Sequence, residues 1–151
     1  MNMNEKIALG MIVKGNNEEP KNLRRCLEKI SPFVDAVFIT LTGKKEEIVE
    51  AEKVCQEFKA NVSYYQNLYE VKQEVVDWLD KYLGYEPKLK AGDRLFLFDE
   101  ARNYNFSQIP RSYEWIIWLD CDDVFRGGEN LRKLADIGKR ENYGAFYLNY
   151  V

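Results

Sequence analysis

The chain has 151 residues, 46% of them hydrophobic and 31% charged, which suits one globular domain with its own core and excludes a disordered segment. A net charge of −3 argues against a general nucleic-acid binder, since such domains carry a basic face. The absence of histidine removes Ser-His-Asp and Cys-His catalysis, HExxH metal sites and histidine proton shuttles from consideration within these residues.

No run of eighteen apolar residues exists to span a membrane, and Met1 to Lys6 lacks the apolar stretch of a signal peptide. The expected setting is therefore cytoplasmic. Cys26, Cys55 and Cys121 form an odd set without paired spacing, so reduced thiols are expected rather than a disulfide framework or a zinc site.

Ile7 to Val13 is a continuous apolar run of strand length, which reads as a buried strand. Lys14 to Glu19 breaks it with turn-forming residues, and Pro20 is placed for the first turn of a helix. Leu23, Cys26, Leu27 and Ile30 recur at i, i+3, i+4 and i+7, the stripe of an amphipathic helix, which Ser31-Pro32 ends. Val34 to Leu41 reads as the next strand, Thr42-Gly43 closes it, and Ile48, Ala51, Cys55 and Phe58 mark a helix from Lys45 to Phe58. Asn61 to Tyr65 reads as a short third strand. This alternation predicts right-handed βαβ units and a mostly parallel sheet flanked by helices, an α/β fold.

The pattern then changes. Leu68, Val71, Val75, Trp78, Leu79 and Tyr82 fit a helical stripe, punctuated afterwards by Gly84, Pro87 and Gly92. Lys81, Lys88, Lys90 and Arg94 make this stretch locally basic, either a lid or docking surface or a solvated face. Arg94 to Phe98 reads as a strand or as a segment packed beneath the next helix, which runs from Asp99 toward Ile109-Pro110. Arg102 on that helix either pairs with Asp99 or offers its planar fork to a phosphate.

Trp115 to Leu119 is too short for a helix and reads as a strand buried on both faces, running into Asp120-Cys121-Asp122-Asp123. In open α/β sheets ligands bind at the carboxyl ends of strands, where these acids and the loop after the first strand would both lie. If strand geometry persists one step further, Asp120 and Asp122 point the same way and Cys121 points into the core. Two such carboxylates repel unless one is protonated or a cation lies between them. A magnesium-type ion on a diphosphate fits that arrangement; a solvated turn with Asp123 as a cap fits it as well. Gly127-Gly128 then form a loop, Leu131, Leu134, Ala135 and Ile137 continue as a helix, and Ala145 to Val151 reads as a further strand. An end inside a strand leads to the expectation that the natural domain continues past Val151.

Taken in order, Met11 to Glu19, Asn22 to Leu27, Phe33-Val34-Asp35, Ala101-Arg102-Asn103 and Trp115 to Asp123 resemble the family-2 glycosyltransferases of GT-A, Rossmann-like fold. The matches cover most of the chain except Asn67 to Asp93. The resemblance implies one domain over residues 1–151, the donor-binding half of a truncated GT-A fold, with a helical insertion at residues 67–93. It implies binding of a nucleotide-diphosphate sugar and transfer of the sugar, with inversion, to an acceptor the residues do not identify. Val13, Lys14, Asn16 and Glu18 would cradle the nucleoside, and Arg102 would approach the diphosphate or the base. Asp120 would contact the ribose or the sugar, Asp122 would bind a manganese or magnesium ion, and Asp123 would assist or orient it.

Two positions depart from the family pattern. Where many members carry a base-reading acid after the second strand, this chain has Leu41 followed by Thr42-Gly43-Lys44. No carboxylate is identifiable as the general base that inverting transfer needs, so no catalytic residue is assigned. A non-catalytic nucleotide-sugar-binding or interaction module is the alternative. A haloacid-dehalogenase-type phosphatase fits Asp120 to Val124 less well, because its motif opens the domain on the first strand.

Overall fold

The computed structural model describes residues 5–16, 18–83 and 88–148. The chain runs β1 (Ile7–Lys14), α1 (Glu19–Ile30), β2 (Ala36–Thr42), α2 (Val49–Glu57), β3 (Asn61–Tyr64), β4 (Leu68–Glu70), α3 (Gln73–Leu83), β5 (Arg94–Phe96), α4 (Phe98–Ser107), β6 (Trp115–Trp118) and α5 (Leu131–Glu141). Four strands form an all-parallel sheet in the order β3-β2-β1-β6. The α/β class with a parallel sheet and flanking helices is the one the alternating pattern implies. Among the described residues no helix is long and apolar enough to cross a membrane.

Alternation along β1 divides the domain into layers. Ile7, Leu9, Met11 and Val13 join Val37, Ile39 and Leu41 of β2 and Ile117 of β6 in one core, which α1, α2 and α5 cover. The predicted stripe of α1 is that cover: Leu23, Cys26, Leu27 and Ile30 are all buried, with Pro20 in the first turn. Each leucine so buried contributes about 1.5–3 kcal/mol of transfer free energy.

On the other face of β1 Ala8 and Gly10 are small, which lets α4 come down onto that part of the sheet. A Cβ at Gly10 would lie 2.8 Å from Asn105 Oδ1 and 3.3 Å from Ile109 Cδ1. The buried Asn105 Nδ2 lies 3.2 Å from Met11 O, 3.1 Å from Phe38 O and 2.9 Å from Thr40 Oγ1. The Thr40 and Ser63 hydroxyls are 2.8 Å apart, so one polar chain fastens α4 across three strands. At the amino ends of the strands, Arg132 Nη1 and Nη2 donate to the two Asp35 oxygens at 2.8 Å each. Asp35 also accepts the Ile7 N–H at 2.7 Å, and Lys139 pairs with the buried Glu5; these contacts fix α5 beneath β1.

Four expectations are revised. β6 is an edge strand rather than one buried on both faces: it pairs only with β1 among the described residues, and Ile116 is 42% exposed while Ile117 is buried. The helix expected from Leu68 begins at Gln73, because Leu68–Glu70 pairs antiparallel with Arg94–Phe96 and a tertiary partner overrides the local stripe. This segment is therefore a two-stranded sheet with a helix between its strands, and α3 has no buried residue. The helix expected from Lys45 forms from Val49, after turns. Ala145 to Leu148 adopts no strand; the rest of that expected strand, residues 149–151, lies outside the described residues, as do Asn17, Gly84 and Pro87.

Candidate functional site at the sheet switch point

The strand order reverses at β1. Its neighbours β2 and β6 follow connections on opposite faces, α1 on one and α4 on the other, and such a switch point opens a crevice at the carboxyl ends of the two strands. The loop after β1 and the acid run after β6 form its two lips.

On the first lip, Gly15 is required by close approach: a Cβ there would lie 2.4 Å from Ile48 Cα and 2.8 Å from Glu47 O. On the second, β6 stops at Trp118 and a turn closes, with the Asp123 N–H donating to Asp120 O at 3.1 Å and the Asp120 N–H donating to the Asp123 carboxylate at 2.9 Å. Asp120 and Asp122 are therefore not set on one side by a two-residue period, since extended geometry ends before them. Cys121 is buried, as expected for the middle residue. Its thiol lies 3.7 Å from Glu19 Oε2, which also accepts the Lys14 N–H at 2.8 Å. Arg25 Nη2 donates to Asp122 O at 2.8 Å. The two lips, a hundred residues apart in sequence, are tied by Glu19 and Arg25.

Negative charge is concentrated here. Partial burial raises the Asp120 carboxyl above its ordinary pKa; the charges of Asp123 and Asp122 push the same way, and Arg102 opposes them. Burial likewise raises Glu19, against the Lys14 N–H, the Cys121 thiol and the Lys14 charge, with Asp122 adding to the rise. Arg102 lies over the Phe98 ring at 4.9 Å and the Trp118 ring at 5.8 Å from its guanidinium carbon, so of its two alternatives the surface pair with Asp99 is not the one that forms.

The sequence-predicted residues separate into those at the crevice and those away from it. Asp120, Asp122, Asp123 and Arg102 come together, and Lys14 lies exposed on the first lip beside Glu19. Val13 has its side chain in the core, and its carbonyl accepts from Thr42 Oγ1 at 3.4 Å. Asn16 is half-buried, and its carbonyl receives the Glu19 N–H at 3.2 Å. Glu18 pairs with Lys21 on the surface at 2.8 Å. Glu19 is the acid that reaches inward. A signal for it existed, since Glu19 lies four residues before Leu23 and so falls on the buried stripe. Arg25 had no such signal. Leu41 is fully buried and faces the core rather than a ligand.

Among the described residues no group of three or more acids, cysteines or histidines forms a closed metal cage. Magnesium-type ions are usually held by one or two carboxylates together with phosphate oxygens and water, and like-charge crowding on Asp120 is the condition that a cation relieves. A two-carboxylate site therefore fits the residues present, with Asp123 engaged in shaping the turn. A separate open depression of about 380 Å³ is lined by Gln66, Asn67, Leu68, Glu70 and Arg94 and shares no residue with the acid turn. Compared with family models, curated proteins and solved structures, the chain has no match.

Proposed function

We propose that this chain binds a nucleotide-diphosphate sugar at the β1/β6 crevice and belongs to a glycosyltransferase of family-2, GT-A type. The observation that supports the reading is the junction itself: an acid turn and a strand-to-helix loop meet at a sheet switch point, tied by Glu19 to the Lys14 N–H and the Cys121 thiol.

Asp122, with Asp120 beside it, would hold a manganese or magnesium ion against the diphosphate, and Asp123 keeps the turn that presents them. Such an ion supplies Lewis-acid stabilisation of the charge that develops on the departing diphosphate. Arg25 holds the turn through the Asp122 carbonyl. Lys14 and Asn16 would meet the nucleoside from the first lip, and Val13 would contribute through the backbone only, its side chain being in the core.

Binding without transfer is the second reading. Leu41, buried where many family members place a base-reading acid, favours it. Titration calorimetry with a panel of nucleotide-diphosphate sugars, with and without manganese, tests both. Manganese-dependent binding that Asp122→Asn weakens more than tenfold is expected. A folded protein that binds no member of the panel refutes both readings, and slow donor hydrolysis in the absence of acceptor separates the enzyme from the module.

A further inference from the structure

We propose that Phe98 and Trp118 are positioning residues that hold the Arg102 guanidinium as a preset receptor for a metal-bound pyrophosphate group beside the acid turn. The proposal rests on the donor-binding reading above and names which part of the ligand the helix α4 takes.

Phe98, Arg102 and Phe106 are spaced four apart on α4 and so share one face of it. That face meets Trp118, the last residue of β6. Phe98 and Phe106 contact the Trp118 ring edge-on, at centroid distances of 6.4 Å and 5.2 Å and interplanar angles of 89° and 83°. Two edge contacts fix the indole, and the guanidinium lies against the fixed indole and against Phe98. Cation–π contact holds such a group by its face and leaves its N–H edge available.

What sets Arg102 apart among the described arginines is the pair of rings against its guanidinium, since the Arg94, Arg111 and Arg126 side chains also make no hydrogen bond or ion pair there. Arg24 donates to Glu57, Arg25 to a carbonyl, Arg132 to Asp35 and Arg140 to Glu141. Among the described residues Arg102 has ring contacts but no hydrogen bond or ion pair. A guanidinium with its donors unspent and its plane fixed matches the two oxygens of a phosphate and loses little freedom on binding. Asp120 follows Trp118 by two residues, so carboxylates and guanidinium stand side by side without pairing. A site that offers both signs suits a ligand that carries both, a divalent ion on a diphosphate, better than a bare anion.

The test uses inorganic pyrophosphate with manganese, titrated calorimetrically against the wild-type chain, Phe98→Leu, Phe98→Tyr and Arg102→Lys, each checked by thermal melting. Phe98→Leu and Arg102→Lys are expected to weaken pyrophosphate at least fivefold with the melting temperature nearly unchanged, and Phe98→Tyr, which keeps a ring, to stay within twofold of wild type. Arg102→Lys keeps the charge and removes no apolar contact, so it carries the test by itself should Phe98→Leu not fold. If wild type does not bind pyrophosphate, or if either folded Phe98→Leu or Arg102→Lys binds it as wild type does, the proposal is overturned, whatever nucleotide-sugars do. Ring-dependent pyrophosphate binding in a chain that binds no nucleotide-sugar supports the receptor and removes the donor reading.

Discussion

Gly10→Ala tests how α4 is held on the sheet. The new Cβ would stand 2.8 Å from Asn105 Oδ1, 3.3 Å from Ile109 Cδ1 and 3.5 Å from Ile116 Cγ2. The first contact forces a movement, and Asn105 has little room to make one, because its Nδ2 has three acceptors between 2.9 and 3.2 Å away. Rotating the amide by half a turn brings no relief, since Oδ1 would then face the Met11 and Phe38 carbonyls. Overpacking with strain in a buried hydrogen-bond network costs about 1–3 kcal/mol. The lower entropy of alanine in the unfolded chain returns about 0.4–1 kcal/mol. A net loss of roughly 1–2 kcal/mol remains, and in a domain of this size it lowers the melting temperature by about 2–8 °C. The assay is urea and thermal unfolding of Gly10→Ala, Asn105→Ala and the double variant. With the Asn105 side chain gone the clash disappears, and the entropy gain of alanine is common to both backgrounds, so the cycle should return the packing cost itself, a coupling energy of about 1–3 kcal/mol. A Gly10→Ala cost that is the same in both backgrounds would refute the account of Gly10 as the seat of Asn105.

Two further outcomes follow from the same geometry. Arg132 holds the Asp35 carboxyl below its ordinary pKa of 3.8, helped by the Ile7 N–H; a depressed carboxyl contributes stability that is present above the unfolded-state value and is lost as pH falls through the folded one. Asp35→Asn should therefore flatten the acid limb of the stability–pH curve and leave its alkaline limb alone, with an effect of no more than about 1 kcal/mol for a pair this open to solvent; an unchanged acid limb in urea titrations would count against it. Burial pushes Cys26 up to about 11 and Cys55 and Cys121 up to about 12, so a thiol-specific reagent at pH 8 should label none of the three in the folded chain and all three in denaturant. Immediate labelling of Cys121 would mean that the core behind the acid turn is open.

The layered α/β class and the buried face of α1 were legible in the residues. Apolar runs of strand length and the Leu23, Cys26, Leu27, Ile30 stripe depend on local periodicity, which needs no partner to be read. The acid run was legible for the same reason, as charge at the end of an apolar stretch. Tertiary structure decided the rest. Whether Leu68–Glu70 joins a helix or a strand depended on Arg94–Phe96 arriving beside it, and β6 became an edge because nothing but β1 pairs with it among the described residues. Which of two adjacent acids enters the crevice followed from the phase of α1 against the sheet, which sends Glu19 to Cys121 and Glu18 to solvent. Sequence determines the pattern each segment carries; which segments meet is a matter of long-range packing, and the candidate site is made of such meetings.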